Sequence, residues 1–232
     1  MTGYHVIIPA AGKGTRMGRT YNKLFIEIEQ QTIIEHTVRV FQQDPACEGI
    51  YLAVQPEDRE RLMTLLARFD KVKKFVTGGR ERQESIHKVI DDLDLAANEV
   101  VLVHDGARPF VTQSTIRTLA DAINQHGAAV VGVKAKDTIK VVRDQFVTET
   151  LDRQYLWQVQ TPQGATYEVL KGAYDKAQAN DIVGTDDASL LEYAGHSVFM
   201  VEGNYDNIKV TTEEDLTNAQ AIIEKRRETD HV

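Results

Sequence analysis

The segment Pro9-Ala10-Ala11-Gly12-Lys13-Gly14-Thr15-Arg16-Met17-Gly18 joins small residues to cations, and Lys23 follows closely. Small side chains let backbone N–H groups approach a ligand, and a following helix N-terminus favours negative charge. The chemistry this suits is phosphate binding. Gly14, not Ser or Thr, follows Lys13, which excludes a P-loop. Met17 stands where G-x-G-x-x-G needs its last glycine, which disfavours an NAD-linked oxidoreductase. Arg16 and Lys23 together suit a triphosphate better than a dinucleotide's pyrophosphate. Singly, each would more often be a solvated surface cation, and the loop in isolation could be a tight turn without a ligand.

A second candidate is Asp105, between His104 and Arg108 and directly after the apolar run Val100 to Val103. Ligands of open α/β sheets bind beyond the carboxyl ends of the strands. A carboxylate there is a hard oxygen ligand suited to Mg2+, although an isolated Asp often just forms a turn. Thr185-Asp186-Asp187-Ala188 opens a helical pattern, and N-capping accounts for it more simply than metal binding. The histidines lack zinc spacing, and His104 reads as structural. Tyr155 and Trp157 read as packing residues, as does the one cysteine, Cys47. A single cysteine allows no intramolecular disulfide, which fits a reducing cytosol.

These residues need a scaffold, and its elements alternate. Val6 to Ile8, Ile50 to Val54, Val100 to Val103 and Ala128 to Val133 are apolar runs typical of strands buried on both faces. Between them, Leu62, Leu65, Leu66 and Phe69 share a helix face. So do Ile86, Val89, Ile90 and Leu93, and again Ile116, Leu119, Ala120 and Ile123. Repeated strand–helix–strand units imply an α/β, Rossmann-like fold with a mostly parallel twisted sheet flanked by helices. The alternation breaks at residues 137–156, which read as a polar hairpin turning at Arg143-Asp144-Gln145. An isolated hairpin is marginal in water, so this β-arm should pack against something else, such as a second subunit. Helical patterns resume at Tyr167 to Ala177 and Asp187 to Tyr193. A last helix starts near Thr212, where Asp215 has capping-box spacing. Residues 1–232 read as one domain carrying the arm.

The 232 residues carry a net charge of -8, which argues against sequence-independent nucleic-acid binding. A local cluster of Lys and Arg can still hold a small anion. No apolar run reaches membrane-spanning length, and the first residues lack a signal-peptide pattern. The expectation is a cytoplasmic protein that binds neither membrane nor nucleic acid.

Five segments, in order, carry a resemblance: Pro9-Ala10-Ala11-Gly12-x-Gly14-x-Arg16-Met17 with Lys23; Thr77-Gly78-Gly79-x-x-Arg82-x-x-Ser85; Val103-His104-Asp105-Gly106-Ala107-Arg108-Pro109; Thr161-Pro162-Gln163; and Asn207-Ile208-Lys209-Val210-Thr211. The first resembles the signature of sugar-nucleotide pyrophosphorylases and cytidylyltransferases. The whole set is similar to the 2-C-methyl-D-erythritol 4-phosphate cytidylyltransferase family of the non-mevalonate isoprenoid pathway. The resemblance implies a nucleotide-diphospho-sugar transferase fold, with an arm exchanged across a homodimer. It implies CTP and a sugar-alcohol phosphate as substrates, and Mg2+.

By the same resemblance, Arg16, Lys23 and Lys209 are catalytic: Arg16 and Lys23 grip the CTP phosphates and stabilise charge on the α-phosphate, and Lys209 neutralises it from the opposite side. Ala10, Ala11, Gly12 and Gly14 contact CTP through their backbone, while Gly79, Arg82, Ser85 and Asp105 shape its cytosine and ribose pocket. Arg108, Thr138, Arg153 and Thr161 hold the acceptor, with Thr138 and Arg153 coming from the partner's arm. Asp105 and Asp206 are the metal-ligand candidates. Arg80 stands where the family often has Asp, so it is assigned no contact. Gly106 replaces a frequent Ala, a change expected to matter little. Ribitol-5-phosphate cytidylyltransferase is the nearest rival, and a non-catalytic nucleotide-binding protein is a more distant one.

Overall fold

The computed structural model describes residues 2–12 and 22–230. Its elements are β1 (Tyr4–Pro9), β2 (Glu27–Ile28), β3 (Gln31–Thr32), α1 (Ile33–Gln42), β4 (Cys47–Val54), α2 (Pro56–Leu66), β5 (Val72–Thr77), α3 (Arg82–Asp91) and β6 (Val100–Val103). They continue with α4 (Gln113–His126), β7 (Ala128–Lys134), β8 (Lys140–Arg143), β9 (Phe146–Thr150), β10 (Trp157–Thr166), α5 (Tyr167–Ala179), α6 (Asp187–Ala194), β11 (Phe199–Glu202) and α7 (Glu213–Asp230). The main sheet has the order β11-β7-β10-β6-β1-β4-β5. Every neighbouring pair is parallel except those of β10, which runs antiparallel to both β6 and β7.

The apolar runs are buried because helices cover both faces of the sheet. Alternate side chains go to opposite layers, as strand geometry requires. Val6, Ile8, Val100 and Leu102 pack with α1, α2, α4 and α7 on one side. Ile7, Val101 and Val103 pack with α3, α5 and α6 on the other. Helix ends are capped by their own sequence. Thr32 and Glu35 form a reciprocal capping box on α1, and Asp186 and Ser189 form one on α6. Such caps typically contribute about 1 kcal/mol each. Asp215 Oδ2 accepts the Thr212 N–H at 2.8 Å, and Thr212 Oγ1 accepts the Asp215 N–H at 3.2 Å, at the start of α7.

Three elements of the main sheet, β5, β10 and β11, and helix α1 have no counterpart in the periodicity reading. β5 is an edge strand, half-exposed and carrying two lysines. β10 is polar because its buried Gln160, Thr161 and Gln163 hydrogen-bond to neighbouring loops and to the start of α6.

Strands β8 and β9 form a separate two-stranded sheet. Asp144 and Gln145 turn the chain with positive φ angles of 49° and 68°, the conformation that matches strand twist in a tight hairpin. The arm leaves the body where Ala135 N–H donates to the Leu156 carbonyl at 2.9 Å. Val142, Phe146 and Val147 on the arm are exposed within one subunit. Among the described residues no helix is long and apolar enough to cross a membrane.

Candidate active site

A cleft of about 480 Å³ opens beyond the carboxyl ends of β1, β4, β5 and β6. Its floor comes from Ala11 and Gly12 after β1 and from Asp105 to Ala107 after β6. One wall is the Gly79–Arg82 turn with Ser85, and the other holds Lys23, Lys209 and Thr211. Short loops between buried strands and helices place these groups, so their positions follow from the core rather than from the loops alone.

The Gly78–Glu81 turn is built to approach the first loop. A Cβ added at Gly78 would lie 2.6 Å from the Ala11 Cβ, so only glycine fits there. Ser85 Oγ accepts the Gly79 N–H and donates to the Glu81 carbonyl, both at 2.9 Å. Gln55 Nε2 donates to the Ala11 carbonyl at 2.9 Å. Asn22 caps the 3-10 turn carrying Lys23 and donates to the Ala10 carbonyl at 2.9 Å. Arg80 is exposed on the cleft rim and pairs with Glu84.

Asp105 is the electrostatic centre. It is 7% exposed. Lys209 Nζ lies 2.7 Å from its Oδ2, Arg82 Nε 3.2 Å from its Oδ1, and Arg108 Nε 3.8 Å from its Oδ2. Burial alone would raise the Asp105 pKa. The Arg82, Lys209 and Arg108 charges overcome it and hold the carboxyl well below the usual carboxylate range. Asp105 is therefore ionised at neutral pH.

A hydrogen-bond chain fixes the loop that carries it. The Asp105 N–H donates to Thr161 Oγ1 at 3.0 Å, and that hydroxyl lies 3.1 Å from His104 Nδ1. His104 Nε2 lies 2.9 Å from the Arg108 carbonyl. The arrangement is self-consistent for a neutral imidazole that accepts at Nδ1 and donates at Nε2. Burial, the largest cause, pushes the His104 pKa down to about 4. His104 thus stays neutral at pH 7 and serves as the turn's internal brace.

The segment 207–211 straps the opposite side. The Val210 N–H donates to the Ala107 carbonyl at 2.8 Å, and Lys23 Nζ donates to the Val210 carbonyl at 2.9 Å. Arg108 Nη1 donates to the Asn207 carbonyl at 2.8 Å, and Asn207 Nδ2 donates to the Thr161 carbonyl at 2.9 Å. Lys23, on its own turn, is thereby tied to the strap that carries Lys209.

The structure thus brings Ala11, Gly12, Lys23, Gly79, Arg82, Ser85, Asp105 and Lys209 to one cleft. Ala10 lies buried beneath the first loop, and Arg108 and Thr161 are tied to the Asp105 turn behind it. Gly14 and Arg16 lie outside the described residues. Thr138 and Arg153 sit on the exposed arm, where Arg153 donates to its own subunit's Lys136 carbonyl. Asp206 does not line the cleft. Its carboxylate faces α7 and lies 3.3 Å from Lys225 Nζ, so it is not placed as a metal ligand. Gly106 is tighter than its sequence context implies. An added Cβ would meet Leu24, Ile34 and Ile8 at 3.2–3.3 Å, so a methyl there needs the neighbours to give.

Two positioning groups, Asn22 and Gln55, were not singled out from sequence, and Asn207 and Asp187 entered only inside longer segments, without a role of their own. Asn22 carried a signal, since Asn immediately before a short turn is a favoured cap. Gln55 carried none, and the signal at Asp187 was that of a helix cap, because the partners of both lie in distant segments.

Comparison with known proteins identifies the family of the chain. A family model described as 2-C-methyl-D-erythritol 4-phosphate cytidylyltransferase matches residues 4–225. A protein of that name from Lysinibacillus sphaericus is 47% identical over 225 residues, covering 96% of each chain. One from Halalkalibacterium halodurans is 46% identical, covering 97% of this chain and 99% of its own. Among solved structures, a 4-diphosphocytidyl-2C-methyl-D-erythritol synthase from Anaerococcus prevotii superposes with a TM-score of 0.85 at 30% identity, covering 96% of each chain. A Francisella tularensis 2-C-methyl-D-erythritol 4-phosphate cytidylyltransferase gives 0.80 at 31%, covering 94% of this chain and 98% of its own. With a family model spanning nearly all of its length and relatives of this identity, the chain belongs to the 2-C-methyl-D-erythritol 4-phosphate cytidylyltransferase family.

Proposed function

We propose that this protein transfers the CMP half of CTP to 2-C-methyl-D-erythritol 4-phosphate, giving 4-diphosphocytidyl-2-C-methyl-D-erythritol and pyrophosphate. The observation that carries the reading is the convergence of Lys23, Lys209 and Arg82 with Asp105 on one cleft, with Arg108 tied to the Asp105 turn behind it, in a chain of this family. The acceptor's phosphate oxygen attacks the α-phosphorus. The new P–O bond forms as the α–β phosphoanhydride breaks, and pyrophosphate leaves with the electron pair. The nucleophile is already anionic, so no strong base is needed. The barrier lies in bringing two anions together, and fixed cations lower it.

Ala11, Gly12 and the Gly79–Ser85 turn bind the nucleotide. Lys23 and Lys209, with Arg16, neutralise the α-phosphate. Arg108, whose guanidinium suits a terminal phosphate, orients the acceptor together with Thr161. The residues present fit Mg2+: Asp105 is a hard, ionised oxygen donor in the cleft floor, and nucleotide phosphates and water can complete an octahedral shell. Bound there, Mg2+ would neutralise charge on the phosphates. Pyrophosphate release from CTP that requires methylerythritol 4-phosphate tests the reading. No release, or release at the same rate without acceptor, overturns it.

The protein works as a cytoplasmic homodimer in this reading. Residues 1–232 act as one domain, and the 137–156 arm reaches the partner. The arm's exposed Val142, Phe146 and Val147 support this, since a lone hairpin is marginal in water. Arg153→Ala is expected to raise the acceptor KM about tenfold or more, the scale of a lost charge-assisted hydrogen bond, and to leave the CTP KM unchanged. Mixing Arg153→Ala with Lys209→Ala subunits should restore activity, because one mixed site then holds both wild-type residues. No recovery on mixing would contradict arm sharing.

A further inference from the structure

Arg82 is shared between two carboxylates. Its Nη1 and Nη2 donate to the two carboxylate oxygens of Asp187 at 2.9 and 2.7 Å, while its Nε faces Asp105 at 3.2 Å. Asp187 is completely buried, and the Tyr174 hydroxyl of α5 donates to its Oδ1. Burial first, then the Asp187 charge, raises the Tyr174 pKa well above its ordinary value, so that hydroxyl keeps its proton.

The carboxylate is also held from behind. Asp187 is the first residue of α6, capped by Asp186, and the next N–H, of Ala188, donates to Gln163 Oε1 at 2.7 Å. Gln163 belongs to β10, the strand that also supplies Thr161 to the Asp105 turn. Asp187 is therefore a fixed point in the same frame as Asp105, on the far side of Arg82.

A bidentate guanidinium–carboxylate pair is directional, and it commits two of the three guanidinium nitrogens. With the fork on Asp187, only Nε remains for Asp105. If the fork were released, the whole guanidinium could turn onto Asp105 and compete with any cation for its oxygens. A buried ion pair is by itself weak evidence of a stabilising role, because desolvation offsets the attraction. The geometry at Asp105 gives this pair a second consequence.

We propose that Asp187 is a positioning residue that, with Tyr174, keeps the Arg82 fork off Asp105, limiting Arg82 to its one Nε contact there, and so leaves Asp105 able to take a divalent cation. The inference rests on the reading of the cleft as a metal–nucleotide site. It assigns Asp187 no contact with substrate. It also makes the interior of α5 and α6 part of how the cleft sets its metal affinity.

Mn2+ binding to the full-length protein, read from the electron paramagnetic resonance of the free ion, tests it. CTP is present, with the same CTP without protein as the reference for Mn2+ that the nucleotide alone takes up, and acceptor is absent, so nothing turns over. Asp187→Asn is expected to weaken Mn2+ binding about tenfold or more, the scale of a lost hydrogen bond between charged groups. Tyr174→Phe keeps the ion pair and should weaken binding by a smaller factor in the same direction. In turnover, the half-saturating metal concentration should rise while kcat at saturating metal stays near wild type. A merely structural role would instead lower kcat and leave half-saturation unchanged. If Asp187→Asn does not fold, Tyr174→Phe decides. Wild-type uptake of Mn2+ with unchanged binding in the folded variants overturns the inference alone. No CTP-dependent uptake by wild type overturns the cleft reading, and the inference with it.

Discussion

Alanine at Lys209 is expected to lower turnover by about a hundredfold or more while the chain stays folded, and alanine at Lys23 to do the same; removing one preorganised charge contact typically costs on the order of 2.7–4 kcal/mol in the transition state. The structure explains why neither loss should unfold the protein. Lys23 meets the strap through the Val210 carbonyl, but the strap is also fixed by the bond from the Val210 N–H to Ala107. Lys209 reaches Asp105 with a partly exposed side chain, and that carboxylate retains Arg82 and Arg108. Both lysines line the cleft beside the 207–211 strap, where, in the proposed reaction, charge would develop as pyrophosphate leaves. Single-turnover rates at saturating CTP, with circular dichroism as the folding control, provide the measurement. Near-normal turnover in either folded variant would remove that lysine from the mechanism.

Asp105→Asn is expected to split binding from chemistry. The substitution keeps the side-chain shape and the backbone bond to Thr161 Oγ1. It removes the one negative charge that Arg82, Lys209 and Arg108 share. Metal-free CTP, a polyanion, should then bind at least as tightly as to wild type, because Lys209 and Arg108 lose their carboxylate partner and Arg82 keeps only Asp187. Turnover should nevertheless fall by roughly 10²–10³-fold, the scale of losing one preorganised electrostatic partner in a transition state. Calorimetric titration of CTP without metal, set beside kcat, gives both numbers. Weaker metal-free binding together with turnover within tenfold of wild type would deny Asp105 a metal-holding role.

The parts of the fold legible in the sequence were those where burial and periodicity agree. Val6 to Ile8 and Val100 to Val103 are apolar at every position because helices cover both faces of their strands. α4 shows its inward face as Ile116, Leu119, Ala120 and Ile123. β10 was not legible because its buried positions carry Gln160, Thr161 and Gln163, chosen for hydrogen bonds rather than for packing. α1 was legible in principle, since Thr32 and Glu35 form a capping box before an amphipathic run.

The cleft divides the same way. Asp105 and Lys23 declared themselves by standing beside a strand end or a glycine loop. Asp187 looked like half of a helix cap. The cap is Asp186, and Asp187, one residue on, turns inward to an arginine 105 positions away in sequence. Asp206 failed in the opposite direction. It sits next to a motif, but its carboxylate faces Lys225. Proximity in sequence fixes neither the direction of a side chain nor its partner.

The most direct test of the central claim gives the wild-type protein CTP and metal with methylerythritol 4-phosphate and ribitol 5-phosphate together, and identifies the nucleotide product by mass. The expected product is 4-diphosphocytidyl-2-C-methyl-D-erythritol, with one pyrophosphate released per product. A cytidine diphosphate conjugate of ribitol as the main product, or no conjugate of either acceptor, would contradict it.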